Sequence, residues 1–228
     1  MKRITKRKQY WIIVFVAFFA LSSAYFYQVF FKFNECVDFD KSMNAGLKIT
    51  FGAHSTPEAE QKWFKDLKDL YKKNCYDSFA EGSEYKIPPI IHHVWLGSEI
   101  PKAYKYLRQT WVEKHPGWIF KLWTDADVDW FNLENRYLFD AARNYGEKSD
   151  IFRYEILKRY GGSYFDTDFM CIKSIAPLHK SNDFYTGIMN AGEVLIAIGA
   201  IGSIPEHPLL KSVMNAISQA GSKYDINN

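Results

Sequence analysis

The sequence has few cysteines, few prolines and glycines, and little net charge, and each shortage excludes a class of protein. Three cysteines in 228 residues exclude a disulfide scaffold, and 8 Pro with 13 Gly exclude a collagen-like or low-complexity chain. The formal charge is +3, but five basic residues lie within the first eight positions, and without them 24 basic residues face 26 acidic ones. A nearly neutral body gives no electrostatic basis for binding nucleic acid.

Apolar and aromatic residues are abundant, at 47% and 18% of the chain. This is enough to fold one domain of ordinary size with an accessory segment, and it excludes a disordered chain. The aromatic excess is typical of a membrane interface or of a site that stacks on flat ligands.

The longest apolar run lies near the N-terminus, where residues 9–31 carry no charge. As a helix, the 21 residues from Trp11 to Phe31 would span roughly 30 Å, the thickness of a hydrocarbon core. The cations that precede the run place the N-terminus in the cytoplasm. We expect a basic cytoplasmic tail (1–9) and a transmembrane signal anchor (10–31), which together make a single-pass type II membrane protein. A cleaved signal peptide is the alternative, because Leu21–Ala24 contains small residues.

Residues 32–85 are predicted to form a stem that contains one amphipathic helix. Residues 32–55 show no clear period and are interpreted as a juxtamembrane spacer. Thr56 and Pro57 are typical of a helix start, and apolar residues then recur at helical spacing, which predicts packing against the core or a partner helix. Cys36 and Cys75 flank this region and either pair or stay free. The apolar residues of this helix are Trp63, Phe64, Leu67, Leu70 and Tyr71.

Residues 86–228 alternate short apolar runs with amphipathic stretches, which predicts an α/β fold with crossover helices. Residues 90–96 and 118–123 are predicted strands, and residues 101–115 a helix between them. A helix from Asp150 to about Tyr160 is predicted with Ser149 as its N-cap and with Gly161 and Gly162 at its end. A strand over 163–172 is predicted to be interrupted by Asp166–Asp168.

Asp166 and Asp168 are the candidate metal ligands. Asp-x-Asp alone is weak, because it also occurs at 38/40, 125/127 and 127/129, all in polar or turn-like stretches that predict solvated carboxylates. The pair at 166 and 168 is flanked by Tyr164-Phe165 and Phe169-Met170, and two carboxylates in apolar surroundings need a cation. In an extended segment both would point the same way, and oxygen ligands favour Mg²⁺ or Mn²⁺, which would act as a Lewis acid on a diphosphate leaving group.

Three further residues are candidates with a simpler alternative each. Asp150 and Arg153 share a helix face at a predicted helix start, which suits phosphate or ribose, but taken alone the pair favours a local ion pair. Trp95, at the end of a strand, either packs in the core or stacks on a base. The adjacent His92 and His93 point to opposite faces of a strand and are interpreted as structural.

Several ordered blocks over about residues 87–210 resemble the DXD-containing glycosyltransferase family 32. The blocks are Ile87–Gly97, His115–Trp118, Leu122–Asp125, Lys148–Leu157 and Tyr160–Asp168. That family includes fungal α-1,6-mannosyltransferases and inositol phosphorylceramide mannosyltransferases, with the clostridial glucosylating toxins as distant relatives.

The resemblance implies a GT-A fold (Rossmann-like, nucleotide-diphospho-sugar transferase) and a metal-dependent, retaining transfer with Mn²⁺ or Mg²⁺. By position it implies that Trp95 stacks on the base, that Asp150 and Arg153 contact the donor, and that Tyr164 lines the nucleotide pocket. Asp166 would bind ribose and metal, and Asp168 metal. Because relatives have further C-terminal segments, the domain over 86–228 is expected to be incomplete, a minimal form or an inactive one.

We therefore expect a membrane-anchored hexosyltransferase, with mannose favoured, that uses a GDP- or UDP-sugar and a glycan or glycolipid acceptor. Its domain would face the Golgi lumen in a eukaryote, or outward from the inner membrane in a bacterium. The alternatives are an inactive nucleotide-sugar or glycan-binding protein of the same fold and a metal-dependent phosphohydrolase.

Overall fold

A computed structural model describes residues 38–225, except residue 46 and residues 75–83. The predicted cytoplasmic tail and anchor, and both Cys36 and Cys75, lie outside the described residues. In the part of the chain that is described, no helix is long and apolar enough to cross a membrane. The third cysteine, Cys171, is a buried free thiol.

Within the described ranges the chain forms eight helices and five strands. The helices are α1 (Phe39–Met43), α2 (Pro57–Lys73), α3 (Lys102–Lys114), α4 (Asp125–Phe131), α5 (Arg136–Ala141), α6 (Tyr145–Tyr160), α7 (Ala176–Ser181) and α8 (Pro208–Asp225). The strands are β1 (Ile90–Val94), β2 (Ile119–Trp123), β3 (Gly162–Phe165), β4 (Phe184–Asn190) and β5 (Val194–Ser203).

The five strands form one mixed sheet in the order β2-β1-β3-β5-β4. Strand β1 is parallel to both β2 and β3, whereas β5 runs antiparallel to β3 and β4. The α/β class is therefore confirmed, with an antiparallel hairpin on one side of the parallel strands. Because successive side chains of a strand face opposite ways, Tyr164 and Phe165 of β3 enter two different apolar clusters. Apolar packing thus covers both faces of the sheet.

The predicted strands and helix around β1 are confirmed with small shifts at their ends. Strand β1 stops at Val94 and not at Leu96, β2 begins at Ile119, and α3 covers Lys102–Lys114. His92 and His93 do face opposite sides of the sheet. His92 donates from Nε2 to the Gly161 carbonyl (2.9 Å), and His93 donates from Nδ1 to the Phe165 carbonyl (2.9 Å), so both link β1 to the ends of β3.

The predicted stem helix is α2, and it packs on helix α1 and on Phe51. Thr56 caps it by accepting a hydrogen bond from the Ala59 amide (3.3 Å). The ring of Phe64 lies 5.4 Å from that of Phe39 in α1 and 6.0 Å from that of Phe51. These contacts make a small apolar layer around a helix that would be only marginally stable alone.

The segment before α2, interpreted from sequence as a juxtamembrane spacer, contains helix α1 and is attached to the β4–β5 hairpin. The side-chain amide of Asn190 donates to the carbonyls of Met43 (2.7 Å) and Leu47 (2.6 Å). The Thr50 amide donates to the Gly192 carbonyl (2.8 Å). These long-range hydrogen bonds hold the stem against the hairpin.

Candidate active site

The six predicted site residues line one cleft of about 550 Å³ at the carboxyl edge of the parallel strands. Trp95 follows β1 and Asp166 follows β3, and parallel strands bring such positions to the same edge of a sheet, where α/β proteins bind ligands. Helix α6 supplies the opposite wall. The structure brings the residues together, while their individual roles stay predictions. The six are Trp95, Asp150, Arg153, Tyr164, Asp166 and Asp168.

The carboxylate pair lies on a turn, so its prediction on an extended strand is wrong. Strand β3 ends at Phe165, and the Phe169 amide donates to the Asp166 carbonyl (3.1 Å), which closes a turn over 166–169. Thr167 lines the cleft together with both aspartates and does not point away from them. In a turn, successive side chains no longer alternate between two faces as they do in a strand. The two carboxylates are therefore close because of the turn and not because of strand geometry.

The prediction that apolar surroundings enclose this pair is also wrong on one side of it. Phe165 is buried, but Phe169 and Met170 are exposed, as is Asp168, and the Asp166 side chain is 38% exposed. Water therefore reaches both carboxylates. The case for a cation must rest on the total charge of the cleft and not on burial.

Arg153 is the buried centre of the site, with a side chain only 5% exposed. Its guanidinium pairs with the Asp150 carboxylate, lies 3.4 Å from Asp166 Oδ1, and donates to the Ile198 carbonyl (2.7 Å). The expectation of a local ion pair is thus too narrow, because one guanidinium joins α6, the turn after β3 and strand β5. A planar fork with several donors suits this arrangement better than an ammonium does.

Tyr164 contacts both Arg153 and Asp166. Its ring centroid lies 4.4 Å from the Arg153 guanidinium carbon, and its hydroxyl donates to Asp166 Oδ1 (2.8 Å). Burial raises the pKa of the Tyr164 hydroxyl, so it remains a donor at neutral pH. Being 2% exposed, Tyr164 offers a ligand little surface and mainly orients its neighbours.

Helix α6 begins at Tyr145, so the predicted start at Asp150 with Ser149 as N-cap is wrong. Asn144 is the N-cap, and its side chain accepts from the Glu147 amide (2.9 Å). Asp150 therefore lies in the second turn, beyond the strongest field of the helix N-terminus. Burial raises the pKa of the Asp150 carboxyl, and the negative charges of Asp166 and Glu147 add to this, while Arg153 opposes it.

Strand β5 reaches the site through a bulge that was not predicted. Gly187 pairs with Ala197 but Thr186 pairs with Ile201, so β5 has extra residues between these positions. The Thr186 hydroxyl lies within hydrogen-bond distance of the Ala197 (3.2 Å) and Ala200 (3.3 Å) carbonyls and bridges the bulge. Bulges of this kind often re-aim groups next to active sites.

Backbone carbonyls of the bulge bind both Arg153 and Asp166. Besides the Ile198 carbonyl that accepts from Arg153, the Gly199 carbonyl accepts from the Asp166 amide (2.9 Å). A Cβ at Gly199 would lie 2.4 Å from Asp166 Oδ2, so the carboxylate occupies space that only glycine leaves open. Gly199 was not among the predicted site residues, because the contact exists only after β5 docks on β3.

Aromatic side chains line the other end of the cleft. Trp95 is half-buried, its ring centroid is 4.8 Å from that of Tyr104, and its Nε1 donates to Ser98 Oγ (3.2 Å). Tyr145 lies over Gly97, where a Cβ would come within 2.2 Å of the Tyr145 ring and where φ is +82°. Tyr104 and Tyr145 were not predicted as site residues. No local sequence pattern connects them to Trp95.

Asp127, interpreted from sequence as solvated, is buried and structural. It closes a capping box with Thr124 at the start of α4 and pairs with Lys121 (2.6 Å). Burial alone would raise the pKa of Asp127, but hydrogen bonds from Lys121 and Thr124 lower it. Among the other Asp-x-Asp positions, Asp129 is exposed and makes a better reference for substitutions.

The cleft holds an excess of negative charge that a divalent cation would offset. Three carboxylates, those of Asp150, Asp166 and Asp168, share one guanidinium. Within the described ranges no cluster of three His, Cys, Asp or Glu side chains is arranged to hold a metal ion by itself. Asp166 and Asp168 fit a hard cation that takes its remaining oxygen ligands from a substrate and water.

The part of the chain that forms most of the cleft is similar to known proteins. Residues 101–185, which include all the predicted site residues except Trp95, match the family model described as glycosyltransferase sugar-binding region containing DXD motif. Mannosyl phosphorylinositol ceramide synthase CSH1 of Saccharomyces cerevisiae is 33% identical over 153 residues, which cover 65% of this chain and 40% of that protein. Inositol phosphoceramide mannosyltransferase 2 of Schizosaccharomyces pombe is 29% identical over 142 residues, covering 60% and 40%. The matched part thus spans less than half the length of these relatives.

Two solved structures were also matched. The PaToxG glycosyltransferase superposes with a TM-score of 0.47 at 17% identity, over 72% of this chain and 70% of that chain. The catalytic domain of alpha-toxin from Clostridium novyi gives 0.43 at 11% identity, over 74% and 66%.

Proposed function

We propose that this protein is a glycosyltransferase of the DXD-containing family whose model matches residues 101–185, and that it transfers a hexose, with mannose favoured, from a nucleotide-diphosphate sugar to a glycolipid acceptor. The names of the fungal relatives support both the mannose and the lipid. We also propose the GT-A arrangement, retention of configuration and dependence on Mn²⁺ or Mg²⁺, which follow from the resemblance.

The charge of the cleft is the observation that supports this proposal most. With three carboxylates and one guanidinium, the side chains sum to about −2, which would repel a diphosphate. A divalent cation held by Asp166 and Asp168 would offset that charge and supply Lewis-acid stabilisation to the diphosphate leaving group. The same carboxylates would be an obstacle in a site built for a phosphorylated ligand without a metal.

Three other residues of the cleft have separate proposed roles, which follow from their positions. Arg153, already fixed by three partners, would stabilise charge that develops on the diphosphate without reorganising, which is worth about a hundredfold to a thousandfold in rate for one such group. Asp150, half-exposed on α6, would orient the donor sugar. The half-buried ring of Trp95 would stack on the nucleobase at the aromatic end of the cleft.

We propose the membrane anchor and the topology on the sequence alone. The uncharged run over 10–31 after five cations favours a signal anchor, with the cleft on the side away from the cytoplasm. That placement would put the enzyme where a glycolipid acceptor presents its headgroup. A tag fused after Asn228 should then be protected from protease in sealed vesicles, and its cleavage from the cytoplasmic side would overturn the topology.

The test of function uses the full chain in lipid nanodiscs with a panel of GDP- and UDP-sugars. We expect one nucleotide sugar to bind only with Mn²⁺ or Mg²⁺ and to be slowly hydrolysed without acceptor. Asp168→Asn should abolish metal-dependent binding, because it removes one of two proposed ligands. Asp129→Asn, a matched change at an exposed position of α4, should leave binding unchanged.

Three results would contradict the proposal. Equal effects of the two substitutions would remove the metal assignment. Tight binding without any turnover would favour an inactive nucleotide-sugar-binding protein. Release of phosphate from substrates that lack a sugar would favour a phosphohydrolase that uses the same carboxylates.

A further inference from the structure

A second cavity, of about 480 Å³, lies between the stem and the β4–β5 hairpin. Its walls come from residues 50–55, from helix α2 and from the first residues of β5. Neither the family match, which begins at residue 101, nor the carboxylate cleft accounts for the stem side of this cavity. The apolar side chains that line it are Phe51, Ala59, Trp63, Val194, Leu195 and Ile196.

The main polar group in this wall, the Glu60 carboxylate, is already occupied. The Glu60 carboxylate accepts from the amides of Gly52 (2.5 Å), His54 (2.8 Å) and Ser55 (2.9 Å), and these bonds lower the pKa of Glu60 to about 2. The His54 ring lies 2.8 Å from the Glu193 carboxylate at the rim. A polar ligand would therefore compete with bonds the protein makes itself, whereas an apolar one would not.

Large apolar side chains are nevertheless left open to solvent here. Trp63 is 37% exposed and Ile196 is 51% exposed. An apolar ligand that covers these two side chains would be favoured, because it removes apolar surface from water.

The cavity and the carboxylate cleft are both contacted by strand β5. Ile196 lines the cavity, and two residues later the carbonyl of Ile198 accepts from Arg153 in the cleft. At about 3.3 Å per strand residue, the two sites are roughly 7 Å apart along the strand. The side chain of Ile198 is itself exposed between them. An amphipathic molecule with its polar end in the cleft could thus lay an apolar chain over Ile198 into the cavity.

We propose that this cavity binds a hydrocarbon chain of the glycolipid acceptor, so that the stem is part of the acceptor site; this rests on the proposed function. The occupant is a lipid chain because the wall is apolar, because the track along β5 leads to the transfer site, and because the stem follows the predicted membrane anchor. The cavity selects acceptors by their lipid portion, and the cleft acts on their headgroup.

The direct test is photocrosslinking in vesicles that contain the full chain. The probe is a phosphoinositol ceramide with a diazirine near the end of its N-acyl chain, and the labelled peptides are mapped by mass spectrometry. We expect labelling within residues 50–63 and 193–196 that excess unlabelled lipid suppresses. Labelling confined to residues 10–31, or labelling that is not competed, would overturn the proposal.

Substitutions in the cavity separate acceptor binding from donor chemistry. Ile196→Glu and Trp63→Ala should each lower the labelling at least about fivefold and raise KM for the lipid acceptor about tenfold or more. Donor hydrolysis without acceptor should stay unchanged. The matched controls are Leu70→Glu, at an exposed position of α2 outside the cavity, and Ile119→Glu, at an exposed position of the opposite edge strand β2. Equal effects in the controls would contradict a specific cavity.

Acceptor length gives an independent readout. Each methylene that leaves the cavity should weaken acceptor binding by up to about fourfold, from about 0.8 kcal/mol per buried CH₂. A KM that does not depend on chain length would refute the lipid site even if transfer occurs. If the wild-type chain binds no nucleotide sugar at all, the proposed function fails, while labelling of the cavity is still measured independently.

Discussion

Replacing Arg153 by alanine should destabilise the protein and stop transfer, and the two effects can be measured separately. A guanidinium that is 5% exposed neutralises Asp150 and Asp166 and also satisfies the Ile198 carbonyl. An exposed ion pair would instead contribute about 0–1 kcal/mol. The variant therefore distinguishes a buried anchor from a surface pair.

The expected loss in the free energy of unfolding follows from the groups that Arg153→Ala leaves without a partner. Removing one partner of a buried ion pair costs about 3–5 kcal/mol, and a buried carbonyl left without a donor costs about 1–3 kcal/mol. The carboxylates of Asp150 and Asp166 are 46% and 38% exposed, so water recovers part of their loss. We expect a net loss of about 3 kcal/mol in the free energy of unfolding, which lowers Tm by roughly 6–12 °C for a domain of this size.

The assay compares thermal melting of Arg153→Ala with that of Arg143→Ala in nanodiscs. Arg143 also pairs with a carboxylate, that of Glu147 four residues later, but its side chain is 86% exposed, so its loss should cost at most about 1 kcal/mol. Transfer is then measured at a temperature where both variants are folded. Arg153→Lys should recover part of the stability but not full activity, because an ammonium cannot make the planar contacts.

Asp150→Asn completes the set, because the asparagine oxygen can still accept from Arg153 and the Asp166 carboxylate still neutralises the buried guanidinium. It should melt within about 1 kcal/mol of the wild type and lower transfer at least about tenfold, or about 1.4 kcal/mol in barrier. If Arg153→Ala melts like Arg143→Ala, the guanidinium is not the anchor described. If both cleft variants turn over donor at the wild-type rate, the predicted roles of Asp150 and Arg153 are wrong.

Three other predictions address the aromatic end of the cleft, the bulge and acid stability. Trp95→Ala should weaken nucleotide binding by about 1–3 kcal/mol with partial rescue by Trp95→Phe, whereas normal binding with earlier melting would assign the ring to the core. Gly199→Ala should displace the Asp166 carboxylate and weaken Mn²⁺-dependent donor binding, while Gly187→Ala on β4 should not; an equal loss in both would indicate a general effect on the sheet. Burial lowers the pKa of His92, His93 and His179 from 6.5 to about 4, so stability should be fully present above pH 6.5 and fall as the pH drops toward 4. Each histidine should cost about 2 kcal/mol by pH 5, and urea unfolding that shows no loss between pH 7 and pH 5 would contradict this.

Local sequence patterns correctly predicted the helices and strands that are marked by residues close together in the chain. Thr56 and Pro57 correctly predicted the start of α2, and alternating apolar runs predicted β1 and β2 to within two residues. The start of α6 was missed because Gly146 and two polar residues hide its first turn, although Asn144 with Glu147 three residues later is a normal capping pattern. The choice of Ser149 rested on the same rule applied one turn too late.

The surroundings of the site depended on contacts that no local pattern contains. Asp166 and Asp168 were placed on a strand because their neighbours are apolar, yet Phe169 and Met170 turn out to be exposed and the strand ends earlier. Asp127 was taken as solvated because its neighbours are polar, yet Lys121 and Thr124 enclose it. In each case the neighbours in sequence are not the neighbours in space.

The bulge in β5 explains why one strand can serve two sites. Before the bulge, Ile196 lines the apolar cavity beside the stem, and within it the carbonyls of Ile198 and Gly199 fix Arg153 and Asp166. A regular strand would keep its carbonyls in the ladder with β4, so the extra residues free them for the cleft. Thr186 closes the irregular loop with its hydroxyl, which limits the freedom of those carbonyls. The apolar cavity and the charged network therefore use neighbouring residues of one strand, and a side-chain substitution in the cavity removes neither carbonyl from the cleft.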